Sequence, residues 1–178
     1  MDIYGRCLMF LILVCLPWGA FSYQQALIHT IQDAKPPVLS QAEWLKNSFA
    51  YRNSFVFNPR THRWYAYNGR GRLVKSGRAS GGANYCPDIG RSCRTPSGSY
   101  RIISKRGASC RSSRYPKGRG GAPMPYCMFF SKYYAVHGSY DVPNRNASHG
   151  CIRVTPSAAK WLYHNFMHIG TRVIIKSY

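Results

Sequence analysis

After residue 54 the chain alternates apolar and polar positions in short runs: Phe55-Val56-Phe57, Trp64-Tyr65-Ala66-Tyr67 and Leu73-Val74. Asn58-Pro59-Arg60 and Asn68-Gly69-Arg70-Gly71 separate them, and both are turn-forming sequences. The pattern predicts an antiparallel meander. Residues 100–104 read as a further strand, Met128-Phe129-Phe130 and residues 133–136 as a hairpin pair, and residues 172–176 as a closing strand. Helical spacing with a clear boundary occurs over residues 156–166, where Thr155 can cap, Pro156 takes the first helical position and Trp161, Leu162 and Phe166 share one face. Upstream, residues 24–33 and 41–49 have helix-like spacing interrupted by Pro36-Pro37, with Ser40 as an N-cap. The fold class is therefore mainly β, with a short C-terminal helix at about 156–166 and a partly helical N-terminal segment.

Two connections carry no periodicity. Residues 77–98 are rich in Gly, Cys and Pro, and residues 105–127 are basic; both exceed ordinary loop lengths. For the second, a substrate-covering lid and a plain stapled loop are equally compatible with the sequence.

Residues 1–22 have the layout of a signal peptide: Arg6, a nearly unbroken apolar run from Cys7 to Leu16, then Ala20-Phe21-Ser22. The run is short for a bilayer span, so cleavage is expected, with no transmembrane anchor in the mature form. The remaining residues 23–178 suffice for one domain. The whole chain carries 25 Lys and Arg against 5 Asp and Glu, a net charge of +20. Asp33, Glu43, Asp88 and Asp141 are the only acids outside the leader. Such a surface attracts polyanions. Helix-turn-helix, zinc and RNA-recognition patterns are missing and the chain has an export signal, so the expected partner is an anionic cell envelope and not nucleic acid.

Seven cysteines become five once Cys7 and Cys15 leave with the leader. In an oxidising compartment an odd count leaves one thiol over. Cys86, Cys93, Cys110 and Cys127 lie in the loop-like stretches, where staples are useful, and local closure favours Cys86 with Cys93 and Cys110 with Cys127. Cys151 remains as the free thiol.

Its surroundings are those of a nucleophile. The sequence reads Ser148-His149-Gly150-Cys151-Ile152-Arg153, and His137-Gly138 lies upstream. If Ile152 and Val154 face a core, alternation puts Cys151 and Arg153 on the opposite face. Gly150 allows a bend, and the amides of Gly150 and Cys151 are candidate oxyanion donors. His137 arrives from another strand and can approach the thiol sideways, as a base must, with the Gly138 carbonyl orienting its ring. His149 lines the site. Arg153 favours the thiolate and offers a two-pronged grip on a substrate carboxylate. No CxxC pair or HxxxH spacing supplies four ligands, so no metal and no cofactor is expected.

The cluster Ser148 to Arg153, preceded by His137-Gly138-Ser139, resembles the signature of the L,D-transpeptidase catalytic domain. The resemblance extends to the meander, to Thr95-Pro96-Ser97-Gly98, to the Trp161 helix and to the last strand. It covers roughly residues 54–177, so with the signal-peptide layout the chain divides into a leader (1–22), an N-terminal segment (23–53) and a catalytic domain (54–178). The resemblance implies an exported β-sandwich or barrel acting on peptidoglycan through a thioester; the free signal peptide and the lack of any wall-binding repeat make the periplasm the expected location, and a monomer is expected. In that family the residue matching Cys151 is the nucleophile, the one matching His137 the base and Gly138 the supplier of the orienting carbonyl. Ser148, His149, Gly150 and Arg153 fall on substrate and oxyanion positions. The stretch from His137 to Cys151 is shorter than in many members, which bears on the substrate loop. The same acyl-enzyme would serve an L,D-carboxypeptidase or a protein-anchoring transpeptidase; a basic, non-catalytic envelope binder is the rival from another class.

Overall fold

The computed structural model describes residues 53–115 and 121–178. The leader and the expected N-terminal helices lie outside them. The meander forms as its alternation requires: β1 (Ser54–Asn58) buries Phe55 and Phe57, and β2 (Arg63–Tyr67) buries Trp64 and Ala66. They pair antiparallel with Phe57 opposite Trp64. β3 (Leu73–Ser80) pairs antiparallel to β2 and is longer than its two apolar residues suggest. Its middle is Lys75-Ser76-Gly77-Arg78, held by the ladder and not by an apolar face. Gly77 is needed there, because a Cβ would stand 2.7 Å from the Trp64 indole nitrogen.

Residues 100–104 divide between two strands. β4 (Gly98–Arg101) pairs with the last strand, β9 (Arg172–Ile175), while β5 (Ser104–Lys105) pairs with β6 (Met128–Phe129). β6 continues antiparallel to β7 (Ala135–Gly138), β7 lies parallel to β8 (Ile152–Val154), and β8 returns antiparallel to the end of β3. With β9 parallel to β1, the order is β4-β9-β1-β2-β3-β8-β7-β6-β5. The two edge strands are neighbours in the chain, separated by Ile102-Ile103 alone, so the sheet curls until its edges approach.

Helix α1 (Pro156–Trp161) begins where expected: the Thr155 hydroxyl accepts from the Ala158 amide at 3.3 Å. A wider π-type turn follows over Leu162–Phe166. Ala159, Leu162 and Phe166 join Phe55, Phe57, Trp64, Ile152 and Val154 in one core. Trp161 is only partly buried and stacks on Phe166. Gly138 lets the helix close on β7, since a Cβ there would meet the Ala159 methyl at 3.2 Å.

Both cysteine pairs form as local closure predicts, Cys86–Cys93 and Cys110–Cys127, and Cys151 is free. Among the described residues no helix is long and apolar enough to cross a membrane.

Candidate active site

The parallel β7–β8 pair builds the site. Val136 stands opposite Ile152, and both face the core; one step on, His137 stands opposite Arg153. Paired residues share a face, so His137 and Arg153 are together on the side away from the core. Cys151, two positions before Arg153, opens onto the same cavity as both. The expected face assignment therefore holds.

His137 is 5% exposed, and its Nδ1 lies 2.9 Å from the Gly138 carbonyl oxygen. A carbonyl can only accept, so Nδ1 carries the proton and Nε2 keeps its lone pair. Burial pushes the imidazole pKa down to about 4, against the pull of the Gly138 carbonyl and helped by the positive Arg153. Burial also pushes the Cys151 thiol up, opposed by the Ala135 amide and by Arg153. At rest the thiol donates weakly to the Tyr133 carbonyl at 3.9 Å. Thiol and imidazole are thus both neutral at rest.

Ser148 ties the loop before Cys151. Its hydroxyl accepts from the Gly150 amide at 3.0 Å and donates to the Cys151 carbonyl, while its own amide and carbonyl engage Gly81 and Ala83. The Gly150 amide, expected to face a substrate oxygen, is directed inward to that hydroxyl. Gly150 itself is buried with φ 120°, and its carbonyl accepts from the Thr95 hydroxyl at 2.8 Å. A Cβ there would lie 2.3 Å from the Tyr134 ring.

His149 lines the cavity, as expected, and is half-buried there. Its Nε2 meets the Asp88 carboxylate at 2.9 Å and its ring stacks on Tyr115 at 4.1 Å between centroids. Arg153 is paired with Asp141 at 2.6 Å. The His149 donor atom also lies within 4.8 Å of the Cys86 and Cys93 sulfurs, but both are joined in a disulfide and cannot serve as thiolate ligands.

The cavity over Cys151 measures about 900 Å³. One wall comes from the Cys86–Cys93 connection through Ile89, Arg91 and Cys93; the other comes from the basic loop through Arg114, Tyr115, Met124 and Pro125. That loop is both stapled and a covering wall. Asp88, Tyr115 and Tyr134 are beyond sequence reasoning: Asp88 is 61 positions from His149, and nothing local marks the contact. Thr95 has one signal, its place in Thr95-Pro96-Ser97-Gly98.

The L,D-transpeptidase catalytic domain family, YkuD, matches residues 52–175. The chain belongs to that family. Among solved structures, the L,D-transpeptidase of Xylanimonas cellulosilytica DSM 15894 (residues 123–326) is 32% identical, with a TM-score of 0.60 over 70% of this chain and 60% of that one. An L,D-transpeptidase of Mycobacterium tuberculosis H37Rv is 23% identical, with a TM-score of 0.58 over 71% and 58%. L,D-transpeptidase 3 of Mycobacterium tuberculosis, solved with a faropenem-derived adduct, is 23% identical, with a TM-score of 0.57 over 71% and 59%. The chain spans about 60% of the length of such L,D-transpeptidases. No curated protein matches it.

Proposed function

We propose that the protein is an exported L,D-transpeptidase that forms peptidoglycan crosslinks through a Cys151 thioester. The observation that carries this is the locked tautomer of His137: with Nδ1 committed to Gly138, Nε2 is the ring's proton acceptor, on the face and cavity shared with Cys151. In the first half-reaction Nε2 takes the thiol proton as Sγ attacks the carbonyl of diaminopimelate in a tetrapeptide stem. The Cys151 amide supports the oxygen that becomes negative. Collapse breaks the bond to the terminal D-alanine, whose amine leaves with the proton held by His137. In the second half-reaction an amine of another stem attacks the thioester, His137 takes its proton, and the released thiolate recovers it.

The +20 charge suits a wall polymer whose stems bear carboxylates, and the leader-like residues 1–22 suit delivery to the periplasm. Incubating the mature protein with tetrapeptide muropeptides and weighing the products tests the reading. Dimers with loss of one D-alanine per crosslink are expected; shortened stems without any dimer would refute crosslinking and leave an L,D-carboxypeptidase. A penem should add its mass at Cys151, as the faropenem-derived adduct of the mycobacterial relative suggests.

A further inference from the structure

Among the described residues, the cavity around Cys151 is lined by six cations, Arg91, Arg106, Arg111, Arg114, Lys132 and Arg153, and by a single carboxylate, Asp141. Asp141 is already held by Arg153. Asp88, just outside, is held by His149. The ion pairs of the described residues thus leave Arg91, Arg106, Arg114 and Lys132 without a carboxylate partner. Aromatic faces fix three of them in place: Arg106 stands 5.7 Å from the Phe129 ring centroid, Arg114 4.5 Å and Lys132 5.3 Å from that of Tyr133. A ring face positions a cation without neutralising it, and its N–H donors remain available at the edge. Arg91 and Arg114 stand where the cavity meets a second recess of about 570 Å³, lined also by Asp88, Ile89 and Tyr115. Positive charges gathered on a concave wall repel one another, and a bound anion relieves the repulsion.

We propose that this cavity selects its substrate by ionisation: it takes peptide stems whose side carboxylates are free and rejects the same stems when those groups are carboxamides. The inference rests on the acyl-transfer reading above and adds a specificity to it. A carboxamide has the shape of a carboxylate and fits the same space. It differs in turning an NH₂ toward guanidinium groups that can only donate, so a donor faces a donor and the charge attraction is gone. A site built to hydrogen-bond one group rejects an isostere that cannot complete the bond far more strongly than a merely close-fitting site does.

The test uses two synthetic tetrapeptide stems, identical except for carboxylate or carboxamide at the side positions, offered separately to the mature protein. Turnover should favour the carboxylate form by about tenfold or more in kcat/KM, which corresponds to about 1.4 kcal/mol. The gap should narrow as salt rises from about 50 to about 500 mM. Arg91→Gln and Arg114→Gln, both at exposed positions, should bring the two rates together. Equal kcat/KM for the two stems in the unaltered protein would overturn the selection while leaving the transpeptidase reading intact. Calorimetric binding of both stems to Cys151→Ala reads the same preference without turnover. Preferential binding of the carboxylate stem there, with neither stem turned over by the unaltered protein, would uphold the selection and refute the acyl-transfer reading.

Discussion

His149 Nε2 lies 2.9 Å from the carboxylate of Asp88, a residue 61 positions earlier in the chain. His149 therefore joins loops: Asp88 belongs to the Cys86–Cys93 connection, and Tyr115, stacked on the same ring, belongs to the basic loop. Both loops wall the cavity. His149→Ala should leave the walls less ordered and raise KM, with kcat/KM falling about tenfold and kcat changing less. The pair is half-exposed, so the melting midpoint should move by less than about 1 kcal/mol equivalent. Steady-state kinetics beside a thermal melt reads both; a loss confined to kcat would place His149 at the reacting atoms instead.

The neutral dyad has a pH signature. Burial holds His137 at about 4, so the base stays competent through the range where an ordinary histidine, near 6.5, would protonate. The acid limb of kcat/KM should fall near pH 4, and His137→Gln should lower kcat about 10²–10⁴-fold.

Stability follows from the same depression. As pH falls, the unfolded chain takes up the His137 proton first, so the stabilisation is complete above about 6.5 and is lost progressively down to about 4. The two values are separated by about 3 kcal/mol of linkage. Cys151, pushed up by burial, acts at the other end: the unfolded chain loses its thiol proton first, and stability declines as pH rises past about 8.5. Denaturant melts between pH 4 and 10 should trace a dome, with the acid slope reduced in His137→Gln and the remainder carried by His168, which burial also pushes down.

Much of this site was legible because its chemistry is local in sequence. Alternation alone puts Cys151 and Arg153 on one face, and an odd cysteine count isolates the thiol. The two disulfides follow because each closes a short stretch, 7 and 17 residues apart. What escaped is long-range. The inward turn of the Gly150 amide depends on Ser148 being anchored to Gly81 and Ala83, and no periodicity encodes that. β3 is longer than its apolar stretch because its length comes from pairing with β2, and residues 100–104 divide because each half finds a different partner strand.

Gly150 gives a sharp mutational contrast. A Cβ there would lie 2.3 Å from the Tyr134 ring at φ 120°, whereas one at Gly71, φ 74°, meets nothing within 4 Å. Both alanine variants carry backbone strain of about 1 kcal/mol or more; only Gly150→Ala must also displace the Tyr134 ring. Gly71→Ala should keep its activity and lose about 1 kcal/mol, while Gly150→Ala should lose about 3 kcal/mol or more and its activity with it. Melts and penem labelling of the two variants decide the matter.

The Cys110–Cys127 disulfide has a catalytic consequence beyond closing a loop. Cys110, Cys127, Met124 and Ala135 form a small apolar cluster against which Phe129 and Cys151 pack, so the staple is part of the wall that desolvates the Cys151 thiol. Replacing both cysteines by alanine removes a constraint worth about 3 kcal/mol for a loop of this length. It also admits water beside Cys151, and the thiol should then return toward its ordinary pKa. Iodoacetamide labelling of Cys151 in the double variant should begin at lower pH than in the unaltered protein, while turnover falls as the wall loosens. Unreduced protein without the leader should titrate one thiol, lost in Cys151→Ala. If labelling of the double variant keeps the unaltered pH profile, the disulfide is a staple only, and the burial that holds the thiol up comes from β7 and Tyr133.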